Sequence, residues 1–274
     1  MIEQTGTRSR LLPPAPLVAD AAAILAAAAM PEPRREALRI WRDLKTRPDA
    51  DFMSAIERRA GGEPLAYVTG RVGFRHLLLH ADPRALIPRP ETEQLVELLL
   101  GIAPAGQVAD VGTGTGCIAL SLATEGRYRD VLAMDSSAAA LSLAAENRAQ
   151  VGAPTVRLVR GDLTEPLAPA SLDALVSNPP YLTDAEWRGL DTSVGGWEPP
   201  EALAAGPDGL EHTRRLLADG RRVLRPGGWL AMELDCRRAG ETARLAIALG
   251  WNGVQVTRDL FGRERFLLAR RSEP

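Results

Sequence analysis

The chain has 274 residues, 45% of them apolar and 25% charged, enough to bury one large core and a small satellite domain. A formal charge of −2 excludes a global pull toward nucleic acid, although Arg supplies nearly all the positive charge (Lys45 is the only lysine) and can still form local patches. Cys117 and Cys236 are too few for a disulfide framework or a zinc cluster, and His76, His80 and His212 lack ligand spacing, so no metal is expected.

Residues 1–16, polar and then proline-rich, read as a mobile tail. Arg8 and Arg10 before an apolar run imitate a signal peptide. Asp20 interrupts that run, however, and Pro13, Pro14 and Pro16 stand where its apolar part should begin. A helix over Leu17–Met30 explains the stretch better, and helices over Pro33–Thr46 and Asp51–Arg59 follow. Pro31 and Pro33 separate the first two, and Gly61-Gly62 closes the third. Ala37, Leu38, Ile40, Trp41 and Leu44 form a stripe at helical spacing, which predicts packing against the neighbouring helices. No segment reaches the about 20 apolar residues of a membrane span, so a soluble, cytoplasmic protein is expected. Residues 65–88 read as an extended linker or hairpin, with Val72-Gly73-Phe74 pairing with Leu77-Leu78-Leu79 or with the run before Pro88.

From Pro90 the pattern changes. A helix over Glu91–Leu100 leads into strands at 107–111, 130–135, 155–160, 172–177, 228–234, 251–258 and 263–270, with helices between the earlier ones. This predicts an α/β fold with a mostly parallel sheet covered on both faces, its last strand antiparallel across the turn at Phe261-Gly262. The first strand runs into Gly112-Thr113-Gly114-Thr115-Gly116, a turn in which the backbone can approach a ligand closely. The spacing is not the Gly-x-Gly-x-x-Gly of a dinucleotide fingerprint, and no Lys follows to grip phosphate. Cys117, at the start of the next helix, is expected to pack as a small hydrophobe. Asp135 ends the second strand, where a carboxylate can accept from both hydroxyls of a ribose or can merely cap the following helix. Asp162, after the third strand, is either an acceptor for an adenine amino group or a turn residue. The fourth strand delivers Asn178-Pro179-Pro180-Tyr181, an acceptor-rich, stiff turn with an aromatic face, beside the same crevice.

These segments resemble the class I methyltransferases, and among them the HemK/PrmC family. The resemblance extends to Gly62–Gly70, Leu86–Glu93, Gly161-Asp162, Ala205–Leu210 and Asp259–Arg265, in order over roughly residues 60 to 270. Two departures stand out: Leu163 stands where the family often has Trp, and the segment before Gly61 looks short. The resemblance implies a Rossmann-like methyltransferase domain over 90–274, a helical substrate-recognition domain over 17–62 and a linker over 63–89. It implies methyl transfer from S-adenosylmethionine to the side-chain amide of the glutamine in the Gly-Gly-Gln loop of class I peptide chain release factors. Gly112, Thr113, Gly114, Thr115, Gly116, Asp135, Asp162, Leu163 and Asn178 would meet the cofactor. Asn178, Pro179, Pro180 and Tyr181 would meet the substrate, with Asn178, Pro179 and Tyr181 catalytic. A monomer without stable nucleic-acid binding is expected.

The residues suit this chemistry. An amide nitrogen is a poor nucleophile and its proton too weakly acidic to remove beforehand, so the site needs acceptors rather than a strong base. The Asn178 side chain and the Pro179 carbonyl provide two. Asn178 could instead be only a turn former before proline. The exocyclic amine of adenine in DNA or RNA is equally planar and weakly nucleophilic, and would be flipped onto Tyr181. The neutral charge and the lack of a target-recognition domain weigh against it. A non-enzymatic nucleotide-binding module would leave Asn178–Tyr181 without a role. Arg34, Arg35, Arg39, Arg42, Arg47, Arg58 and Arg59 could meet an acidic partner or simply solvate the helices.

Overall fold

A computed structural model describes residues 15–44, 49–190 and 196–273. The chain divides into two compact units, Met1–Arg71 and Val72–Pro274.

In the first unit the helices are α1 (Ala15–Ala27), α2 (Pro33–Leu44), α3 (Asp49–Ala60) and α4 (Leu65–Thr69). Most of the expected tail, and Arg47, lie outside the described residues, whereas Ala15 and Pro16 already belong to α1. The α2 stripe buries Ala37, Ile40, Trp41 and Leu44 but leaves Leu38 exposed. Trp41 meets Phe52 of α3 edge to face at 5.2 Å, a favourable aromatic geometry. Gly61-Gly62 ends α3 as expected. Gly62 takes φ +94°, its N–H donates to Arg59 O, and the next N–H, of Glu63, reaches back to Arg58 O. Arg59 pairs with Glu36 at 2.8 Å and Arg58 with Glu63, so both are already engaged inside this unit.

Residues 65–69 depart from the extended chain expected of them. Pro64 presets the entry, its carbonyl accepts from Tyr67 and Val68 N–H, and Gly70 closes the turn at φ +68°. Tyr, Val and Thr favour strands locally, but burying Tyr67 and Val68 decides for the helix.

The second unit opens with the hairpin strands β1 (Arg71–Phe74) and β2 (Leu77–His80). Buried Asn147 bolts β2 down: its amide oxygen accepts from His80 N at 2.6 Å and its nitrogen donates to His80 O. The main sheet contains β3 (Ala105–Val111), β4 (Arg127–Asp135), β5 (Val156–Arg160), β6 (Leu172–Ser177), β7 (Leu224–Glu233), β8 (Trp251–Arg258) and β9 (Glu264–Arg271). Their order is β5-β4-β3-β6-β7-β9-β8, parallel as far as β7 and antiparallel at β7–β9 and β9–β8. The α/β expectation with an antiparallel end holds. β7 starts four residues earlier than expected, because Arg225-Pro226-Gly227-Gly228 reads as a turn yet bulges inside the pairing with β6.

The helices of this unit are α5 (Pro90–Ile102), α6 (Cys117–Glu125), α7 (Ala138–Val151), α8 (Asp184–Arg188), α9 (Glu211–Val223) and α10 (Ala239–Ala248). Two large apolar clusters dominate its core, one around Leu95, Leu122 and Val131, the other around Leu175, Leu216 and Met232, beside a small one of Ala85, Ala140 and Leu143. Strand order reverses between β3 and β6, and this switch point opens a crevice at their carboxyl ends. Among the described residues no helix is long and apolar enough to cross a membrane.

Candidate active site

The crevice is a cleft of about 1010 Å³, counting its open mouth. Its walls gather Gly112, Thr113, Gly114, Thr115, Asp135, Asp162, Leu163, Asn178 and Pro180, residues separated by up to 68 positions in sequence yet delivered by the ends of β3, β4, β5 and β6.

The glycine turn is held from below. Gly112 and Thr113 donate to Met134 O at 2.9 and 2.8 Å, which folds the turn over the end of β4. Gly112 takes φ +75° and a side chain there would meet no protein atom within 4 Å, so its missing Cβ opens cleft space. Asp110, fully buried under the turn, accepts from Thr113 Oγ1 at 2.6 Å and from Ala119 N at 3.1 Å. It thereby caps α6 from the strand, since Gly116 has no side chain to do so. Burial pushes its carboxyl up to about 7, against the pull of these two bonds. Asn147, the hairpin bolt, also donates to Thr115 O at 2.9 Å.

Asp135 accepts from Gly114 N at 3.0 Å and Ser137 N at 2.9 Å. The cap of α7 is Ser137, whose hydroxyl accepts from Ala140 N, so capping is not the function of Asp135. Asp162 reaches the cleft while its Oδ2 pairs with Arg215 at 2.5 Å. Leu163 takes φ +47°, a strained value for a leucine, and lines the same wall.

Asn178 stands at the floor, directly after β6. Its Nδ2 donates to Thr92 Oγ1 at 3.2 Å, leaving Oδ1 to accept from another group. Thr92 in turn donates to Glu233 Oε2 at 2.7 Å. Glu198 is also buried; its carboxylate accepts from Ile87 N at 3.1 Å and pairs with Arg89.

Three expected site residues do not line the cleft. Gly116 caps α6, and a Cβ on it would press Leu120 and Ala144 at 3.3 and 3.4 Å, so it is a packing glycine. Pro179 is buried behind Asn178, and Tyr181 turns toward Glu233, Arg265 and Arg89, its hydroxyl pushed up to about 12 by burial. His212 also borders the cleft, with burial lowering its pKa. Cys117 is buried as expected, which raises its thiol to about 12.

Local pattern does not reveal the roles that residues in Leu86–Glu93, Ala205–Leu210 and Asp259–Arg265 take in the fold. Thr92 and Arg89 border the cleft. Gly209, at φ +73°, lets Tyr181 O approach so closely that a Cβ would sit 2.5 Å away. Asp259 accepts from Arg265 Nε at 2.9 Å, and Arg265 lies 3.9 Å from Glu233. Glu233 and Glu198 had no sequence signal at all.

The family model "Methyltransferase small domain" matches residues 90–190. Among solved structures, a methyltransferase from Pyrococcus furiosus superposes with a TM-score of 0.54 at 21% identity, covering 71% of this chain and 88% of that one. The ribosomal protein L11 methylase of Lactobacillus delbrueckii gives 0.51 at 20% identity, covering 70% and 84%. Both share the fold. Among curated proteins, the release factor glutamine methyltransferase of Nitratidesulfovibrio vulgaris is 44% identical over 227 residues, 81% of this chain and 77% of its own length. That of Deinococcus radiodurans is 44% identical over 230 residues, covering 82% and 81%. That of Cereibacter sphaeroides is 37% identical over 251 residues, covering 92% and 90%, a span longer than Val72–Pro274 and therefore reaching into the helical unit. With such identity over most of both lengths, this chain belongs to the release factor glutamine methyltransferase family.

Proposed function

We propose that the protein transfers a methyl group from S-adenosylmethionine to the side-chain amide nitrogen of the Gly-Gly-Gln glutamine in class I release factors, in the cytoplasm, and so tunes peptide release at termination. The observation that carries the chemistry is Asn178: one end of its amide is tied to Thr92, and the other is left as an acceptor on the cleft floor.

The cleft fits the methyl donor. The open space over Gly112 suits its methionine part. The Asp135 carboxylate, already oriented by two backbone N–H groups, suits the ribose. Asp162 keeps one oxygen for the adenine amino group, and Leu163 offers an aliphatic face where the family often has an aromatic one. When bound, S-adenosylmethionine supplies an electrophilic sulfonium methyl. The protein's own part is to hold the glutamine amide in line and stabilise charge on its nitrogen. Asn178 Oδ1 accepts one of its N–H bonds, which favours lone-pair localisation and the positive charge developing during transfer. The proton leaves during or after transfer.

A glutamine side chain offers little recognition surface, so selection rests on contacts remote from it. Arg34, Arg35, Arg39 and Arg42 are exposed on α2 and can meet an acidic surface. The adenine alternative has no comparable support, since the curated relatives above are named for a protein substrate.

The decisive experiment offers labelled S-adenosylmethionine with purified release factor or with nucleic acid, followed by mass analysis of the Gly-Gly-Gln peptide. One added methyl group on that glutamine is expected. Label entering only nucleic acid would overturn the proposal.

A further inference from the structure

Behind Asn178 lies a chain of polar groups drawn from three elements: Thr92 in the first turn of α5, Glu233 at the end of β7, and Asn178 itself after β6. Thr92 is 2% exposed and Glu233 1%, so bulk solvent contributes little to their bonding. A hydroxyl carries one proton and two lone pairs. An ionised Glu233 can only accept, and it takes the Thr92 proton at 2.7 Å. Thr92 can then only accept from Asn178, so the NH2 end of that amide must face Thr92 and the oxygen must face away. A protonated Glu233 reverses the count. It can donate to Thr92, which frees the Thr92 proton for Asn178 Oδ1. The amide can then turn end for end and set its NH2 against the NH2 of a substrate, donor against donor.

Building on the acceptor role given to Asn178 above, we propose that Thr92 and Glu233 are positioning residues that hold the Asn178 amide with its oxygen toward the substrate. Several charged and titratable groups surround Glu233. Arg265 stands 3.9 Å from its Oε1 and is itself held by Asp259, while Arg89, Glu91, Tyr181 and Cys117 complete the surroundings. Burial pushes the Glu233 carboxyl up to about 7, with the Thr92 bond, Arg265 and Arg89 opposing and Glu91 adding. The orienting ionised form is therefore gained as pH rises through that value.

The test compares full-length variants at saturating substrates. Thr92→Val should lower kcat about tenfold while the dissociation constant of S-adenosylmethionine stays unchanged. Thr92→Ser, which keeps the hydroxyl, should return kcat to near the wild-type value. The double variant Thr92→Val/Asn178→Ala should be no slower than Asn178→Ala alone, because Thr92 acts only through Asn178. Wild-type kcat should rise with pH around 7, and Glu233→Gln should lose that step. A Thr92→Ser as slow as Thr92→Val, or a pH step that survives in Glu233→Gln, overturns the positioning role. A slow Asn178→Ala with losses that add to those of Thr92→Val overturns the positioning role but leaves the acceptor reading standing. Near-normal turnover in Asn178→Ala overturns both. Should Thr92→Val not fold, the pH profile of Glu233→Gln and the rate of Thr92→Ser decide the matter.

Discussion

Asp135→Ala separates the bracing that this carboxylate performs from the ribose contact proposed for it. In the protein its oxygens accept from Gly114 N at 3.0 Å and Ser137 N at 2.9 Å. Losing these bonds loosens the glycine turn and the entry to α7, at about 1 kcal/mol for each bond. The ribose contact is separate. Charge-assisted hydrogen bonds are worth about 1.5–3 kcal/mol, so the variant should bind S-adenosylmethionine roughly 10- to 100-fold more weakly. Calorimetric titration of the folded variant measures that term, and denaturant melts measure the stability. Ser137→Ala serves as the control, because it removes the α7 cap to Ala140 N at 3.2 Å without touching the carboxylate. It should cost about 1 kcal/mol of stability with affinity retained. If Asp135→Ala were destabilised but bound the methyl donor as tightly as the wild type, Asp135 would be a loop brace only and the ribose assignment would fall.

Gly209→Ala should cost about 1–3 kcal/mol and reduce turnover more than cofactor affinity, since its Cβ would sit 2.5 Å from Tyr181 O at φ +73°; an unchanged kcat would show that the Asn178–Tyr181 turn tolerates displacement. Replacing Arg34, Arg39 and Arg42 together by Glu should reduce activity on intact release factor about tenfold at low salt while sparing a short Gly-Gly-Gln peptide. Equal losses on both substrates would remove α2 from recognition. Glu233 titrates at about 7 when folded, against an ordinary 4.5, so its contribution to stability is complete below 4.5 and is lost as pH rises through 7. Glu233→Gln should gain up to roughly 3 kcal/mol on the wild type across that window, and a difference independent of pH in melts on either side of it would refute the shift.

Much of the catalytic unit is legible in its local chemistry. Alternating apolar strands and helices, a glycine turn, an acid after the second strand and Asn178-Pro179-Pro180-Tyr181 after the fourth each follow from short-range rules of periodicity, turn geometry and donor count. Leu172–Ser177 falls where expected because a buried strand needs a nearly continuous apolar run, and Trp251–Arg258, an edge strand, because Val254 and Val256 alternate with polar residues. The helical stripe on α2 is equally local, as is the Gly61-Gly62 stop, where only glycine takes the required φ without strain.

What the sequence did not carry depends on residues far apart along the chain. Residues 65–69 look extended, and only burial of Tyr67 and Val68 makes them helical. Gly116 resembles its cleft-lining neighbours Gly112 and Gly114, but packing against Leu120 and Ala144 assigns it to the core. The aromatic face of Tyr181 suggested a platform, whereas the folded chain turns it toward Glu233 and Arg265. The sequence by itself therefore determined the sheet, the glycine turn and the placing of an acceptor at the end of β6, because strand periodicity and turn chemistry act between neighbours. Only the tertiary structure decided which way the Asn178 amide faces. That direction depends on one hydroxyl proton shared among Thr92, Asn178 and Glu233, residues 86 and 141 positions apart along the chain, and no local pattern encodes it.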